Sequence, residues 1–162
     1  MPEFYASASR EEMSLQIAKM INKHNRLYRR HTMESILAGS IDYFVELMGT
    51  KVIGCAGLLE DYPGEMSKIV HVCTDPLYRG KGIASRLVEL AASNCETPYI
   101  YMTIRDDNTP SLGMAQKLGF VFVRRHWSRD HYVITVGRRR VYHASGIRYS
   151  TEERMQDQVL HC

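Results

Sequence analysis

The hydrophobic pattern of this chain changes its period along the sequence, and that change limits the folds available to it. In about the first forty residues apolar side chains recur at helical spacing, as at Met13, Ile17 and Ile21. Short apolar runs typical of strands follow, the longest being the eight residues of Val52–Leu59. Strand and helix patterns then alternate. The sequence therefore predicts an α/β fold with a mixed, mostly antiparallel sheet of about six to seven strands and about four helices.

Capping residues place the first two helices. Ser9 and Glu12 form a capping box, in which each side chain bonds the other residue's backbone N–H, and the helix they open should end near His24. Thr32 is predicted to cap a second, short helix. Gly39 is expected to end it in the left-handed conformation.

The strands are predicted from apolar runs bounded by turn residues. Tyr43–Met48 and Lys51–Leu59 flank a Gly49 turn and should form a β-hairpin. Later segments alternate between the two periods, so crossovers from strand through helix to strand should follow the hairpin. Further strands are predicted at Phe4–Ser7, Met66–Thr74, Tyr99–Ile104, Phe120–Arg124 and Tyr132–Val136, and further helices at Gly82–Ala92 and Asn108–Leu118.

Length and charge indicate a single domain with a basic end. The chain has 162 residues and a net charge of +3, but from Arg124 onward eight Arg oppose four acidic residues. We predict a domain over residues 1–137 and a basic C-terminal extension, residues 138–162, which belongs to the same domain and carries a short helix opened by Ser150. A basic end suits an anionic ligand or nucleic acid, and it equally suits a solvated surface.

No segment indicates a membrane partner or an oxidising compartment. The longest apolar run is far shorter than the ~20 residues that a membrane helix needs, and the first residues do not have the pattern of a secretion signal. The four cysteines lack paired spacing and are expected to be reduced thiols, namely Cys55, Cys73, Cys95 and Cys162. We therefore expect a cytoplasmic protein.

A glycine-rich turn between a strand and a helix is the most informative segment. Gly80 and Gly82 allow close backbone approach to a ligand, and the helix that follows presents unpaired N–H groups up to about Ser85. Arg79 and Lys81 add positive charge, so the turn predicts a diphosphate site. It is not a P-loop, and Ser85 stands where the dinucleotide fingerprint has its third glycine.

Two motifs in order resemble a known family. The run Arg79-x-x-Gly82-x-Ala84 after a strand resembles the cofactor signature of the GNAT superfamily of acyl-CoA-dependent N-acyltransferases. The second motif is Asn108 at the start of a helix, with Gly119-Phe120 eleven residues later. The resemblance covers roughly residues 40 to 136 and implies a GNAT-like fold for the domain.

The resemblance also implies acetyl-CoA as co-substrate. In that family the strand before the loop carries a bulge, and its backbone bonds the pantetheine arm and a thioester oxygen. The positions implied to bind the cofactor in this way are Val72, Cys73, Thr74, Arg79, Gly80, Lys81, Gly82, Ile83, Ala84, Ser85 and Asn108. Asn108 equally suits a helix N-cap.

The implied reaction is direct attack of a primary amine on the thioester, which needs a neutral amine and a proton donor. The amine loses its proton to a base of the protein or to water. Many family members place a Tyr where this chain has Ala115, so our hypothesis for the donor is Ser111, one turn earlier. The structural alternative for Ser111 is a polar residue in the first turn of its helix. His71 and Tyr101 are candidate bases, with a buried His and a sheet-face Tyr as the structural alternatives. Cys73 as a nucleophile is less favoured than Cys73 as a packed residue.

The acceptor stays open at this stage. A small-molecule or protein amine is the main prediction, and His24–His31 with Arg125–His131 would form its groove, both being rich in Arg, His and aromatic residues. Those residues also suit nucleic acid, so a nucleobase-modifying enzyme is the alternative, and a non-catalytic CoA-binding or nucleic-acid-binding domain is another. A homodimer is open. We expect no metal, because the seven His are scattered.

Overall fold

The computed structural model describes residues 8–143 and 146–150, which contain four α-helices and seven β-strands. The helices are α1 (Arg10–His24), α2 (Met33–Ala38), α3 (Ile83–Ser93) and α4 (Thr109–Lys117). The strands are β1 (Asp42–Met48), β2 (Lys51–Tyr62), β3 (Met66–Thr74), β4 (Tyr99–Arg105), β5 (Val121–Ser128), β6 (His131–His143) and β7 (Gly146–Ser150). The strand order is β1-β2-β3-β4-β6-β5, and β7 pairs with β6. The predicted α/β class with a mixed sheet is confirmed.

Helix α1 begins and ends where its sequence predicts. The Ser9 hydroxyl accepts from the Glu12 N–H at 3.1 Å, and the Glu12 carboxylate accepts from the Ser9 N–H at 2.8 Å. At the other end the Asn25 N–H reaches the Ile21 carbonyl. None of the helices in residues 8–143 and 146–150 has the length and hydropathy that a membrane span requires.

The start of α2 is confirmed, and the expectation for its end is wrong. Thr32 caps the helix through the Ser35 N–H, at 3.2 Å. Gly39 has φ −76° and ψ 165°, which is extended backbone and not the left-handed conformation. A Cβ at Gly39 would lie 2.8 Å from the Ser35 carbonyl oxygen, so close approach explains this glycine.

The chain divides into two compact units. Among the described residues, the first unit comprises the chain up to Gly57 together with His71–Ala91, and the second comprises Leu58–Val70 together with the chain from Ala92 onward. Strands β2 and β3 therefore each contribute to both units.

The first unit buries apolar residues from both faces of its strands. Val52 and Cys73 pack with the apolar side of α1, which includes Ile17 and Ile21. Neighbouring strand residues turn the other way and pack against α3, in a cluster that contains Ile53, Ala56, Val72, Ile83 and Leu87. Burial of these side chains against two helices holds the end of β3 in place.

The second unit is built on β6, with β4 on one side and β5 and β7 on the other. β4 pairs antiparallel with β6 from Tyr99 opposite Arg139 to Arg105 opposite Val133. β3 runs parallel to β4 with a register from Met66 opposite Tyr99 to Lys68 opposite Tyr101. In the sequence β3 precedes α3 and β4 follows it, so these two parallel strands and α3 form the predicted crossover.

The C-terminal strands are longer than the sequence predicts. β6 continues past Val136 to His143, and β7 lies in the basic extension, where no strand was predicted. Contacts of Arg138 explain why the strand does not end at Val136. Its side chain is 3% exposed, donates to the Leu118 carbonyl at the end of α4 and lies over the Phe120 ring. Cations suit the last carbonyls of a helix. The predicted strand Phe4–Ser7 and the residues of the predicted terminal helix after Ser150 lie outside the described residues.

Candidate functional site

The last residues of β3 have an unusual backbone. His71 has φ +54°, a left-handed value that few residues other than glycine adopt, although His is among those enriched there. Strained backbone of this kind clusters at functional sites. After His71, Val72 packs toward α3 and Cys73 toward α1. The left-handed backbone at His71 therefore comes directly before the residues of β3 that pack against the two helices.

Polar contacts fix the end of β3 in the first unit. The Asn25 side chain, at the end of α1, donates to the Val72 carbonyl at 3.3 Å. The Asp75 N–H donates to the Ile53 carbonyl of β2 at 2.9 Å. The Thr74 hydroxyl is buried and has no protein partner among the described residues, so it is free to bond a ligand.

A single 3-10 turn connects β3 to the glycine loop. Asp75 caps this turn, Pro76–Tyr78, by accepting from the Leu77 N–H at 3.0 Å. It also pairs with Lys51 across 2.8 Å. The Lys51 ammonium, followed by the Leu77 N–H, lowers the pKa of the Asp75 carboxyl, so the group is ionised at neutral pH. The ion pair therefore holds the 3-10 turn against the start of β2.

The glycine loop leads into α3 with its amide hydrogens exposed. Gly80 and Gly82 have φ of +76° and +74°, which side chains other than glycine adopt only with strain. The first N–H bonded within the helix is that of Arg86, which donates to the Gly82 carbonyl at 3.0 Å. The N–H groups before it, on Ile83, Ala84 and Ser85, have no intrahelical acceptor, as at any helix start. They lie at the positive end of the helix dipole and can bind a diphosphate.

Charged side chains surround the loop without filling it. The Arg86 guanidinium donates to the Lys81 carbonyl at 2.8 Å and pairs with Glu46 at 2.7 Å, so it braces the loop. Arg79 and Lys81 are exposed, and the Lys81 ammonium lies 5.4 Å from the centre of the Tyr78 ring. The predicted cofactor residues from Val72 to Ser85 thus lie together in one unit.

A histidine pair and a tyrosine form a cluster that sequence reasoning missed in part. The Tyr43 hydroxyl and His71 Nδ1 are 2.6 Å apart, and the His31 ring packs edge-on against His71 with centroids 4.7 Å apart. Burial, followed by the neighbouring Cys55 thiol, raises the pKa of Tyr43, which therefore stays a neutral phenol. His71 was a candidate base, but nothing in the chain's local pattern indicates its two partners.

Cys73 has the properties of a packed thiol. It is 5% exposed, and burial raises its pKa to about 11, more than Arg79 lowers it. The thiolate is the nucleophilic form of cysteine, and little of it exists at neutral pH here. This supports a structural side chain at Cys73, whose backbone remains a candidate ligand.

The second motif lies in the second unit, where its residues form the ends of a helix. The Asn108 side-chain oxygen Oδ1 accepts from the Ser111 N–H at 3.3 Å, so Asn108 is the N-cap of α4. Ala115 is fully buried and accepts the Phe120 N–H at 3.0 Å, while Gly119 has φ +82°. Gly119 and Phe120 therefore have a structural role, because they end the helix α4. Ser111 is half-buried in the first turn.

Tyr101 is a neutral hydrogen-bond donor. Its hydroxyl makes a short bond to the Asp61 carboxylate, also in the second unit. Burial, followed by this bond, raises the pKa of Tyr101. A phenol whose proton is already directed to a carboxylate is a poor acceptor for the proton of an amine.

In the Arg-rich hairpin of β5 and β6, charged and aromatic side chains contact other residues of the second unit. Arg125 pairs with Asp106 at 2.8 Å, and its guanidinium lies 3.5 Å from the centre of the Tyr132 ring. The Trp127 indole packs edge-on against Tyr132. Arg125, predicted to meet an acceptor, is therefore engaged within the protein. Within residues 8–143 and 146–150, His, Cys, Asp and Glu side chains form no group of three or more that could hold a metal ion.

A family model matches most of this chain, and several solved structures share its fold. The sequence profile of the acetyltransferase (GNAT) family matches residues 5–120. A Salmonella typhimurium protein solved with its cofactor acetyl-CoA has a TM-score of 0.70 and 17% identity, over 85% of this chain and 94% of that one. An N-acetyltransferase from Staphylococcus aureus has a TM-score of 0.66 and 19% identity, over 80% and 94%. The NatC complex bound to Gag peptide and CoA gives 0.62 and 17%, over 78% and 90%. At these identities the structural likeness is one of fold.

Proposed function

The chain belongs to the acetyltransferase (GNAT) family, and we propose that it transfers the acetyl group of acetyl-CoA to a primary amine by direct attack. The observation that carries the proposal is the loop at the start of α3, where two left-handed glycines precede three N–H groups without intrahelical acceptors. The Salmonella typhimurium neighbour carries acetyl-CoA on a similar fold, which adds support.

The chain offers a ligand group for each part of such a cofactor. The N–H groups of Ile83, Ala84 and Ser85 would bind the diphosphate, with Arg79 and Lys81 adding positive charge. The backbone of Val72–Thr74 would bond the pantetheine arm, and the buried Thr74 hydroxyl has a hydrogen bond to give. Bound in this way, acetyl-CoA supplies an acetyl thioester that an amine can attack.

We propose His71 as the group that takes the proton of the attacking amine. The tautomer that serves as base carries its hydrogen on Nδ1 and donates it to the neutral Tyr43 oxygen, 2.6 Å away. In this tautomer Nε2 is the basic nitrogen of the ring. Tyr43 and the edge-on His31 ring hold the imidazole in a fixed orientation. A general base has to be positioned in this way toward the proton that it takes.

Ser111 remains our candidate proton donor to the leaving sulfur, directly or through a water. Its N–H is held by Asn108 at the start of α4, and the family's tyrosine position is occupied by the buried Ala115. Asn108 is also proposed to contact the cofactor arm. Tyr101 has less support as a base, because its proton is directed to Asp61.

The acceptor is proposed to be an amine on a small molecule or a protein. The NatC neighbour is bound to a peptide and CoA, which supports the protein alternative for this fold. The nucleobase-modifying and non-catalytic alternatives have less support, because Arg125 and its aromatic neighbours contact one another. The cytoplasmic location, the single domain with its basic extension and the homodimer stay predictions.

The test is thiol release from acetyl-CoA over a panel of primary amines, peptides and nucleic acids, with mass spectrometry of the products. We expect an acetyl group on an amine nitrogen and equimolar free CoA. Tight binding of acetyl-CoA without any acetylated product would contradict the catalytic proposal and support a binding domain.

A further inference from the structure

A polar pocket of about 180 Å³ lies wholly within the second unit. Strands β3, β4, β5 and β6 all contribute side chains to its wall, so strand pairing fixes where these side chains start. None of the residues proposed above to bind the cofactor contributes to it. The polar and charged side chains of the wall belong to Lys68, Tyr101, Thr103, Arg124, His126 and Thr135.

Two side chains of this wall carry positive charge and have no carboxylate partner. Lys68 and Arg124 form no ion pair with any residue in the part of the chain that the structure describes. The Lys68 ammonium lies 5.6 Å from the centre of the Tyr101 ring, and the Tyr101 hydroxyl donates to the Asp61 carboxylate. Two cations and this one carboxylate leave an excess of one positive charge.

Two buried polar atoms of wall residues lack protein partners among the described residues. Thr135 is 2% exposed, and its hydroxyl has no hydrogen-bond partner. Nδ1 of His126 is buried and equally without one. Buried polar groups in folded proteins are nearly always hydrogen-bonded, to the protein or to a ligand or water. The hydroxyl and the ring nitrogen therefore favour a polar ligand.

The titration of His126 agrees with an excess of positive charge. Burial, then Arg124, then Lys68 lower the pKa of His126, so the imidazole is neutral at pH 7. A neutral imidazole can donate one hydrogen bond to an anion without adding a further full charge. The wall thus combines two charged donors with two neutral groups that can bond the same anion.

Size and lining restrict the class of anion. Pockets for drug-sized molecules begin at about 300 Å³, so a pocket of about 180 Å³ takes one polar group and a short stem. The rings of Tyr62 and Tyr101 offer apolar walls to a carbon stem. A single excess positive charge matches a monoanion, and a guanidinium such as that of Arg124 suits the two oxygens of a carboxylate.

We propose that the polar pocket is a binding site for a short-chain carboxylic acid in its ionised form. Arg124 and Lys68 bind the two carboxylate oxygens, the Thr135 hydroxyl and the His126 ring supply neutral hydrogen bonds, and the carbon stem lies against the tyrosine rings. The site belongs to the second unit alone, and it does not rest on the proposed acetyl transfer. No covalent step takes place in it.

The experiment titrates the full chain with sodium propionate and follows the His126 ring signals by NMR, with His126→Asn identifying them. Propionate should give a saturable shift, whereas propionamide, which has the same stem and no charge, should give none. Sodium chloride at equal ionic strength should also give none. Bound propionate should raise the pKa of His126, because an anion offsets the field of Arg124 and Lys68.

Two charge variants of one strand form a matched pair. Arg124→Gln should weaken propionate binding by about tenfold to a hundredfold, because it removes a charged hydrogen-bond donor. Arg125→Gln removes the same charge from the next residue of β5, whose guanidinium pairs with Asp106 and does not contribute to the pocket. It should change the affinity by less than about twofold, since a screened exposed charge contributes little.

Thr135→Val tests the neutral part of the site with nearly the same side-chain shape. It should weaken propionate binding by about threefold to tenfold, because one hydrogen bond to the anion is lost. In the free protein it should raise the melting temperature, because a buried hydroxyl without a partner is removed. A lower affinity in this variant would therefore not come from a poorly folded chain.

Four results would overturn the proposal. The absence of a saturable shift, or an equal response to propionamide, would show that the pocket does not select a carboxylate. A larger response to inorganic phosphate would favour a phosphate-bearing ligand, and tighter binding of N-acetyl-alanyl-alanine would favour the end of a peptide. Equal losses in Arg124→Gln and Arg125→Gln would show a general attraction to the basic hairpin. None of these results bears on acetyl transfer, because the titrations contain no acetyl-CoA.

Discussion

The loop at the start of α3 and the polar pocket of the second unit both suit anions, but they are made of different parts of the chain. The loop uses backbone N–H groups that left-handed glycines present at a helix start. The pocket uses side chains from four strands, and its orphaned donors are a hydroxyl and an imidazole. A site made of backbone should tolerate changes of side chain and fail when the backbone conformation changes. A site made of side chains should show the reverse.

The largest expected effect tests the backbone part of this comparison. Gly82→Val places a branched side chain at φ +74°, where a Cβ would also lie 3.4 Å from the Arg86 guanidinium. The left-handed conformation costs such residues about 1–2 kcal/mol, so the loop should adopt another backbone conformation and turn its N–H groups away. We expect affinity for acetyl-CoA to fall by about a hundredfold, measured by calorimetry.

Gly64→Val is the matched control for that change. Gly64 also has φ +74°, in the turn between β2 and β3, and has open space around its Cβ position. The two variants should lose similar stability in thermal melts, because the backbone strain is the same. Equal loss of acetyl-CoA affinity in both would show that lower stability, and not loop geometry, causes the effect.

The next effect concerns His71, where backbone and side chain both matter. His71→Asn keeps a residue that tolerates the left-handed region and removes the imidazole. We expect kcat to fall by about a hundredfold, the range of general base catalysis, with acetyl-CoA affinity changed by less than about threefold.

His71→Gly separates the two contributions of that residue. Glycine relieves the backbone strain, so the protein should be at least as stable as with Asn at this position, and turnover should be equally low. An unchanged kcat in both variants would remove His71 from the mechanism and leave its backbone role.

A smaller effect is expected for the charged side chains beside the loop. Lys81→Ala removes one exposed ammonium and no N–H group. Affinity for acetyl-CoA should fall by about threefold to fivefold, and the loss should shrink as salt is raised, because exposed charges are screened. A loss as large as that of Gly82→Val would reverse the comparison and assign the binding to side chains.

The smallest effect is a pH dependence of the turn before the loop. The pKa of Asp75 is lowered, chiefly by Lys51, so its contribution to stability is fully present above the ordinary carboxyl pKa of about 4. That contribution is lost as the pH falls through the lowered value of the folded protein. Asp75→Asn should therefore lower the melting temperature slightly at pH 7 and by less at pH 2.5. An equal decrease at both pH values would contradict the ion pair as its cause.

The sequence predicted the loop because its requirements are local. Gly80 and Gly82 are needed where φ is positive, and both are visible in the sequence next to the strand and helix that they join. The positive φ of His71 was not predictable, because packing of β3 between two helices sets it. The partner Tyr43 lies 28 residues away from His71 and was missed for the same reason.

The pocket and the last strands could not be predicted, because they depend on pairing between distant segments. Lys68, Arg124 and Thr135 meet only once β3 to β6 take their register. Arg138 belongs to the basic end, for which an anionic ligand and a solvated surface were both predicted. It is instead buried at the end of α4, where its guanidinium donates to the Leu118 carbonyl. Charge alone does not show whether a partner will be available in the folded chain.

The most direct test of the central claim is an NMR titration of the backbone amides with acetyl-CoA. The account predicts that the largest shifts fall on Ile83, Ala84 and Ser85, with smaller ones on Val72–Thr74, because these N–H groups would bind the cofactor. Large shifts confined to the pocket around Arg124, with none at the start of α3, would contradict it.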